Sequence, residues 1–173
     1  SAMCALLVAR MYHYDQPELN GDALKDYIGE RFTTAYMATE NSGSATEKAA
    51  KDLAHEIGAT LYTGDIQAAV DTHLAILKQM TGVDIPWDNP AHDVPLQNVQ
   101  ARLRGSLIWT FANLRGLLLI ATSNKSEAAV GYTTMDGDTS GGVSPIADVP
   151  KSMVITWLNW AAEFHDVQAL RDV

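Results

Sequence analysis

At 173 residues the chain has room for one domain with a substantial core and too little for two comfortable ones. Its 47% apolar and 19% charged content places it among soluble globular proteins, and a net charge of −9 argues against non-specific binding to nucleic acid or an anionic membrane. The single cysteine, Cys4, rules out an internal disulfide; with no apolar run of membrane-spanning length and no visible signal peptide, a cytoplasmic location is expected.

In chain order, residues 1–12 read as a helix with a broad apolar face, and Cys4 within it reads as core rather than nucleophile. The helix opens at the first residue, leaving no room for a cap, so a preceding element is expected to be missing. Pro17 and Asn20-Gly21 mark a loop over 13–22. A short helix is predicted over 23–27, and the β-rich run 32–38 reads as a strand. Ser44-Ala45-Thr46-Glu47 has capping-box spacing, predicting a helix to Ile57 that Gly58 stops. A strand over 59–63 follows, then a helix over 66–80 with Ile66, Val70, Leu74 and Leu77 on one face. The three prolines of 83–95 predict a long loop. The next helix is predicted over 96–113, with Leu96, Val99, Leu103, Leu107 and Phe111 on its buried side. A last amphipathic helix begins after Pro150, and residues 165–173 read as a short helical tail.

Residues 117–132 organise the chain. Leu117 to Ile120 read as a strand buried on both faces, as in a parallel sheet, and Lys125 to Val130 as a helix ended by Gly131. A strand running into a helix leaves N–H groups at the strand's carboxyl end, where open α/β sheets bind ligands. On spacing alone, Asn124 and Glu127 form a capping box that would occupy Glu127 structurally. Alternating strands and helices imply an α/β fold: a parallel sheet with right-handed crossovers and helices on both faces.

The isolated motifs are weaker. Five scattered histidines, His165 among them, show no metal-ligand spacing, and neither a nucleophile elbow nor a complete P-loop is present. Asp136-Gly137-Asp138 could hold Mg²⁺ beside a bound phosphate chain, but reads first as an ordinary turn. Arg102 and Lys151 are the cations best placed near the sheet's carboxyl edge.

Together, Gln97-Asn98-Val99-Gln100-Ala101-Arg102-Leu103-Arg104, then Ala121-Thr122-Ser123-Asn124-Lys125-Ser126-Glu127, then 131–138, Ser144-Pro145-Ile146 and Lys151 resemble NAD⁺ synthetase. The resemblance is to the synthetase domain of its glutamine-dependent form, and it covers essentially the whole chain, 1–173. It implies the adenine nucleotide alpha hydrolase-like fold of ATP-pyrophosphatase type. Ser1 to Ala5 resemble the end of that family's phosphate loop, Ser-Gly-Gly-x-Asp-Ser, and the helix behind it. The first strand and most of the loop are therefore expected to lie upstream, and this chain alone is expected to be inactive or nearly so.

The resemblance further implies ATP-dependent amidation of nicotinic acid adenine dinucleotide (deamido-NAD) to NAD⁺, with AMP and pyrophosphate released. Cofactors would be ATP and Mg²⁺. Ammonia would come from glutamine through a glutaminase domain upstream in the same polypeptide. Ser1, Thr122 and Lys151 would bind ATP. Asn98, Arg102, Glu127, Tyr132, Thr133, Thr134 and Met135 would bind the dinucleotide, and Glu127 would also bind Mg²⁺. Residues 38–42 would lie near the adenine. Family members are oligomers, so a homo-oligomer is expected, with 83–95 a candidate for contacts between chains. Ammonia-dependent members carry a lysine where this chain has Met135 and an aspartate near Gly142, which leaves recognition around the nicotinate ring open. Two other readings stay in view: a different ATP-pyrophosphatase amidotransferase, and a non-catalytic adenine-nucleotide-binding module.

Overall fold

The apolar spacing of the first residues does produce a helix, α1 (Ala2–Asp15), which buries Met3, Cys4 and Leu6 and runs on past Tyr12. The computed structural model describes residues 2–164 and 167–171. After α1 come α2 (Gly21–Arg31), β1 (Thr33–Ala38), α3 (Ser44–Ile57), β2 (Thr60–Asp65) and α4 (Gln67–Thr81). Then follow α5 (Asp93–Arg115), α6 (Lys125–Ala129) and α7 (Lys151–Phe164). The strands β1 and β2 pair in a parallel sheet and are joined through α3, the crossover that parallel strands require.

Two compact units divide the chain. One comprises the described residues of Ser1–Gly64, Asn124–Ser126 and Asp148–Val173; the other comprises Asp65–Ser123 and Glu127–Ala147. In the first, Leu6, Ala54, Ile57, Ala59, Ala161 and Val167 form a buried apolar cluster, with Phe32, Leu53, Trp157 and Leu158 packed against it. These side chains come from α1, α3, α7, the segments entering β1 and β2, and the segment after α7, which carries Val167. Burial pushes the Cys4 thiol up from its ordinary range, as suits a core residue rather than a nucleophile. The Glu56 carboxylate accepts the N–H groups of Gln168 and Ala169 at 2.8 and 2.7 Å, tying the C-terminal segment to α3. In the second unit, α4 and α5 pack together over Ile66, Val70 and Leu96.

Several elements depart from the sequence reading. Helix α2 spans Gly21–Arg31 rather than the short 23–27 stretch; Tyr27 anchors it to α1, its hydroxyl donating to Asp15 at 2.8 Å. The helix predicted from the Ser44 capping box begins at Ser44 itself, with Gly43 as cap and no side-chain cap bond; Glu47 instead pairs with Lys51 at 2.6 Å. The predicted 83–95 loop is shorter, because a 3-10 turn (Pro90–His92), capped by Asn89, leads into α5 at Asp93. Pro95 is accommodated in the first helical turn, where its missing N–H has no intrahelical acceptor to lose.

The largest correction concerns Leu117 to Ile120. These residues form no laddered strand; Ile120 makes one isolated parallel bridge to Val143. An apolar run is buried on both faces only where other layers pack over both faces of its sheet, and Leu118 stays 71% exposed.

Gly58 closes α3 as predicted. Its φ is +77°, its N–H returns to the carbonyls of Ala54 and His55, and a Cβ there would stand 2.6 Å from Lys25 Cα. Gly58→Ala combines a disfavoured backbone conformation with a collision against α2, so it is expected to destabilise the protein by about 2 kcal/mol or more. Urea unfolding measures this, and an unchanged midpoint would contradict the assignment.

Candidate functional site

Helix α5 places Asn98, Ala101, Arg102 and Gly105 on one stripe, at the i, i+3, i+4 and i+7 spacing that lines a helical face. The loop 131–140 lies on this stripe. The Thr134 hydroxyl donates to Asn98 Oδ1 at 2.7 Å, and Arg102 Nε donates to the Met135 carbonyl at 3.2 Å. So close an approach needs missing side chains on both sides. A Cβ on Gly105 would stand 2.7 Å from the Asp136 carbonyl oxygen, and one on Gly137 would stand 2.8 Å from the Ala101 carbonyl carbon.

The loop is also held internally. Gly131, with φ +69°, turns the chain out of α6, and the Tyr132 N–H returns to the Glu127 carbonyl at 2.9 Å. Asp136 adopts φ +62°, a left-handed conformation that costs a non-glycine residue about 1 kcal/mol. Its N–H donates to Thr139 Oγ1 at 3.2 Å. The Asp138 carboxylate accepts the Thr134 N–H at 2.8 Å, and the Asp138 carbonyl accepts the Ser123 hydroxyl at 3.0 Å. Asp136-Gly137-Asp138 is thus a turn whose second carboxylate is used to hold the loop. Tyr132 and Met135 are exposed, while Thr133 Oγ1 is buried with no hydrogen-bond partner among the described residues.

Thr122 follows Ala121, whose N–H donates to the Val143 carbonyl at 2.9 Å, and the Gly142 N–H donates to the Leu119 carbonyl at 2.8 Å. Gly141 is pressed against the backbone of Ala121, where any Cβ would collide with the Ala121 nitrogen. Asn98, Arg102, Thr122 and Tyr132 to Met135 therefore all belong to the second unit, and Asn98, Arg102, Thr134 and Met135 are directly hydrogen-bonded.

In the first unit, Asn124 is buried and acts as the expected N-cap of α6, its Oδ1 accepting the Ser126 N–H at 3.0 Å. Ser126 Oγ accepts the Lys151 N–H at 3.0 Å, and the Lys125 N–H donates to the Val149 carbonyl at 3.0 Å. These bonds fix Lys151 as the first residue of α7, its side chain exposed. Glu127, which belongs to the second unit, is half-buried in the first turn of α6. At the carboxyl end of β1, the Thr39 N–H donates to Ser42 Oγ and the Ser42 N–H to the Thr39 carbonyl, both at 2.9 Å, making the 38–42 segment a tight turn. Ser1 lies outside the described residues.

Sequence reasoning gives no role to Ser123, Ser126 or Gly105, and it reads Asp136-Gly137-Asp138 as an ordinary turn or a Mg²⁺ loop; in the structure these residues hold the predicted ones in place. Gly105 leaves a trace: a glycine inside a helix weakens it, so its presence there signals a close contact.

The family model described as NAD synthase matches residues 18–164. The chain belongs to the NAD synthase family. A glutamine-dependent NAD(+) synthetase from Rhodobacter capsulatus is 40% identical over 119 residues, covering 67% of this chain and 20% of that protein. The crystal structure of a glutamine-dependent NAD(+) synthetase from Cytophaga hutchinsonii superposes with a TM-score of 0.90 at 34% identity, over 99% of this chain and 33% of that one. A second, from Acinetobacter baumannii in complex with adenosine diphosphate, matches at TM-score 0.71 and 29% identity over 79% of this chain and 24% of that one. The chain thus spans about a fifth to a third of these relatives' length.

The seating of the loop 131–140 is testable without a ligand. Gly137→Ala must push the loop off the Ala101 backbone and is expected to destabilise the protein by about 1–3 kcal/mol. Gly142→Ala meets only the flexible end of Leu118 and is expected to cost less. Equal losses in denaturant unfolding would contradict a backbone-limited seat.

Proposed function

We propose that the protein amidates nicotinic acid adenine dinucleotide to NAD⁺ in an ATP-dependent reaction, as the synthetase domain of a glutamine-dependent NAD⁺ synthetase. The observation that carries the reading is the two hydrogen bonds, Thr134 to Asn98 and Arg102 to Met135, which join two of the family-like motifs on one face of α5. A carboxylate is a poor electrophile. In the proposed reaction a nicotinate carboxylate oxygen attacks the α-phosphorus of ATP and pyrophosphate leaves. Ammonia then adds to the acyl carbon, loses a proton and expels AMP, leaving the carboxamide. Most of the protein's contribution is positioning and offsetting charge.

On this reading Asn98, Arg102 and residues 132–135 hold the dinucleotide. Met135 is exposed and can meet an apolar ring, and the buried Thr133 hydroxyl, without a partner among the described residues, is a hydrogen-bonding group not otherwise used. Ser1, Thr122 and Lys151 are assigned to ATP, and the 38–42 turn to the adenine. Among the described residues no three His, Cys, Asp or Glu side chains converge as a metal cage. Mg²⁺ bound with a nucleotide needs only one or two protein carboxylates beside phosphate oxygens and water, and the half-buried Glu127 fits that role. The ion would offset charge on the phosphates. Ammonia derived from glutamine, a homo-oligomeric assembly and a cytoplasmic location belong to the same proposal.

The test supplies ATP, Mg²⁺, nicotinic acid adenine dinucleotide and ammonium to a form extended upstream through the family's phosphate loop, with the 173-residue chain beside it. Mass spectrometry is expected to find NAD⁺ and AMP in equal amounts from the extended form. AMP without NAD⁺ would mean a different acceptor, and neither product from folded protein would leave nucleotide binding alone. In the same assay Glu127→Gln is expected to lower turnover by about a hundredfold or more with little change in melting temperature. Melting without loss of turnover would reduce Glu127 to a helix cap.

A further inference from the structure

Asp138 stands outside the residues that the functional reading assigns to a ligand, yet two hydrogen bonds meet on it. Its carboxylate accepts the Thr134 N–H at 2.8 Å, and its carbonyl accepts the Ser123 hydroxyl at 3.0 Å. Thr134 in turn spends its hydroxyl on Asn98 at 2.7 Å. Through these bonds one residue connects the end of the Thr122-Ser123 segment, the tip of the loop and the face of α5. The loop needs such a clamp. Asp136 sits in a left-handed conformation that an ordinary residue leaves readily, and the Gly137 backbone rests against Ala101 with no side chain to lock it. An ionised carboxylate receiving a backbone N–H is among the stronger bonds available at a protein surface.

We propose that Asp138 is a positioning residue for the dinucleotide: it fixes the Thr134 backbone so that the Thr134 hydroxyl and Asn98 are held in one arrangement before the ligand arrives. This rests on the functional reading above, because it names what the loop is held ready for. Asp138 itself does not touch the ligand. Preorganisation of this kind acts on affinity by removing the cost of ordering the loop on binding.

The test measures affinity for nicotinic acid adenine dinucleotide by calorimetry in the full chain, well below the melting temperature of each variant. Amide hydrogen exchange at Thr134 is followed by NMR in parallel. Asp138→Ala is expected to weaken binding roughly five- to tenfold and to speed exchange at Thr134 by at least that factor. Asp138→Asn keeps a side-chain acceptor and is expected to restore both to within about twofold. Since the route runs through Thr134 to Asn98, the Asp138→Ala effect is expected to shrink when Asn98→Ala is already present. Wild-type binding with no loss in Asp138→Ala overturns this inference and leaves the functional reading intact. Full additivity with Asn98→Ala, or an affinity loss that Asp138→Asn does not recover, overturns it equally. A wild-type chain that is folded and does not bind the dinucleotide overturns both.

Discussion

The candidate site depends on backbone lying against backbone. Gly105 on α5, Gly137 in the loop and Gly141 beside Ala121 each occupy a point where a Cβ would collide with main-chain atoms. Their absence of side chains lets 131–140 settle between α5 and the segment ending at Thr122, close enough for Thr134 to reach Asn98 and for Ser123 to reach Asp138. Interiors are packed at nearly crystalline density, so one added methyl at such a contact moves a whole segment. The polar groups assigned to the dinucleotide are therefore held by backbone contacts at the glycines as well as by the hydrogen bonds of Asn98, Arg102, Ser123 and Asp138.

A division of labour follows along the helical stripe of α5. Asn98 and Arg102 face the loop with hydrogen-bonding groups, while Ala101 and Gly105, on the same stripe, supply the flat surface that the loop rests on. Leu96 and Ala112 are buried elsewhere along the helix and anchor it. In the first unit, Asn124 and Ser126 perform a comparable task with short side chains, satisfying the N–H groups that open α6 and α7 and so fixing where Lys151 begins its helix. Short polar residues suit helix starts because they bond to nearby backbone at little entropic cost.

Much of this was legible in the sequence where a local rule had no competitor. Gly58 was readable as a helix stop because only a left-handed residue can turn the chain there, and Asn124 was readable as a cap from its place before Lys125. Where tertiary contacts decide, local reading failed. Ser44 carries capping-box spacing, yet Gly43 takes the cap and Glu47 prefers Lys51 one turn on. Leu117 to Ile120 look like a strand buried on both faces, yet burial depends on partners that no run of apolar residues can announce. Three prolines obscured the start of α5, although a proline in a first helical turn costs no hydrogen bond. At the site, the family-like motifs single out Asn98, Arg102, Thr134 and Met135, which the structure joins in two hydrogen-bonded pairs. The clamp at Asp138 and the close contacts at Gly105 and Gly137 are not legible in the sequence, because a clamp or a close contact is a relation between segments far apart in the chain.

The central claim is that the dinucleotide is received by the loop 131–138 and the face of α5 beneath it. Chemical-shift mapping by NMR tests it most directly: nicotinic acid adenine dinucleotide is titrated into the isotope-labelled chain and the backbone amides are followed. The account predicts that the largest shifts fall on Thr133, Thr134 and Met135, together with Asn98 and Arg102, and saturate as one binding event. Saturable shifts centred on other residues, with these five amides unmoved, would contradict it.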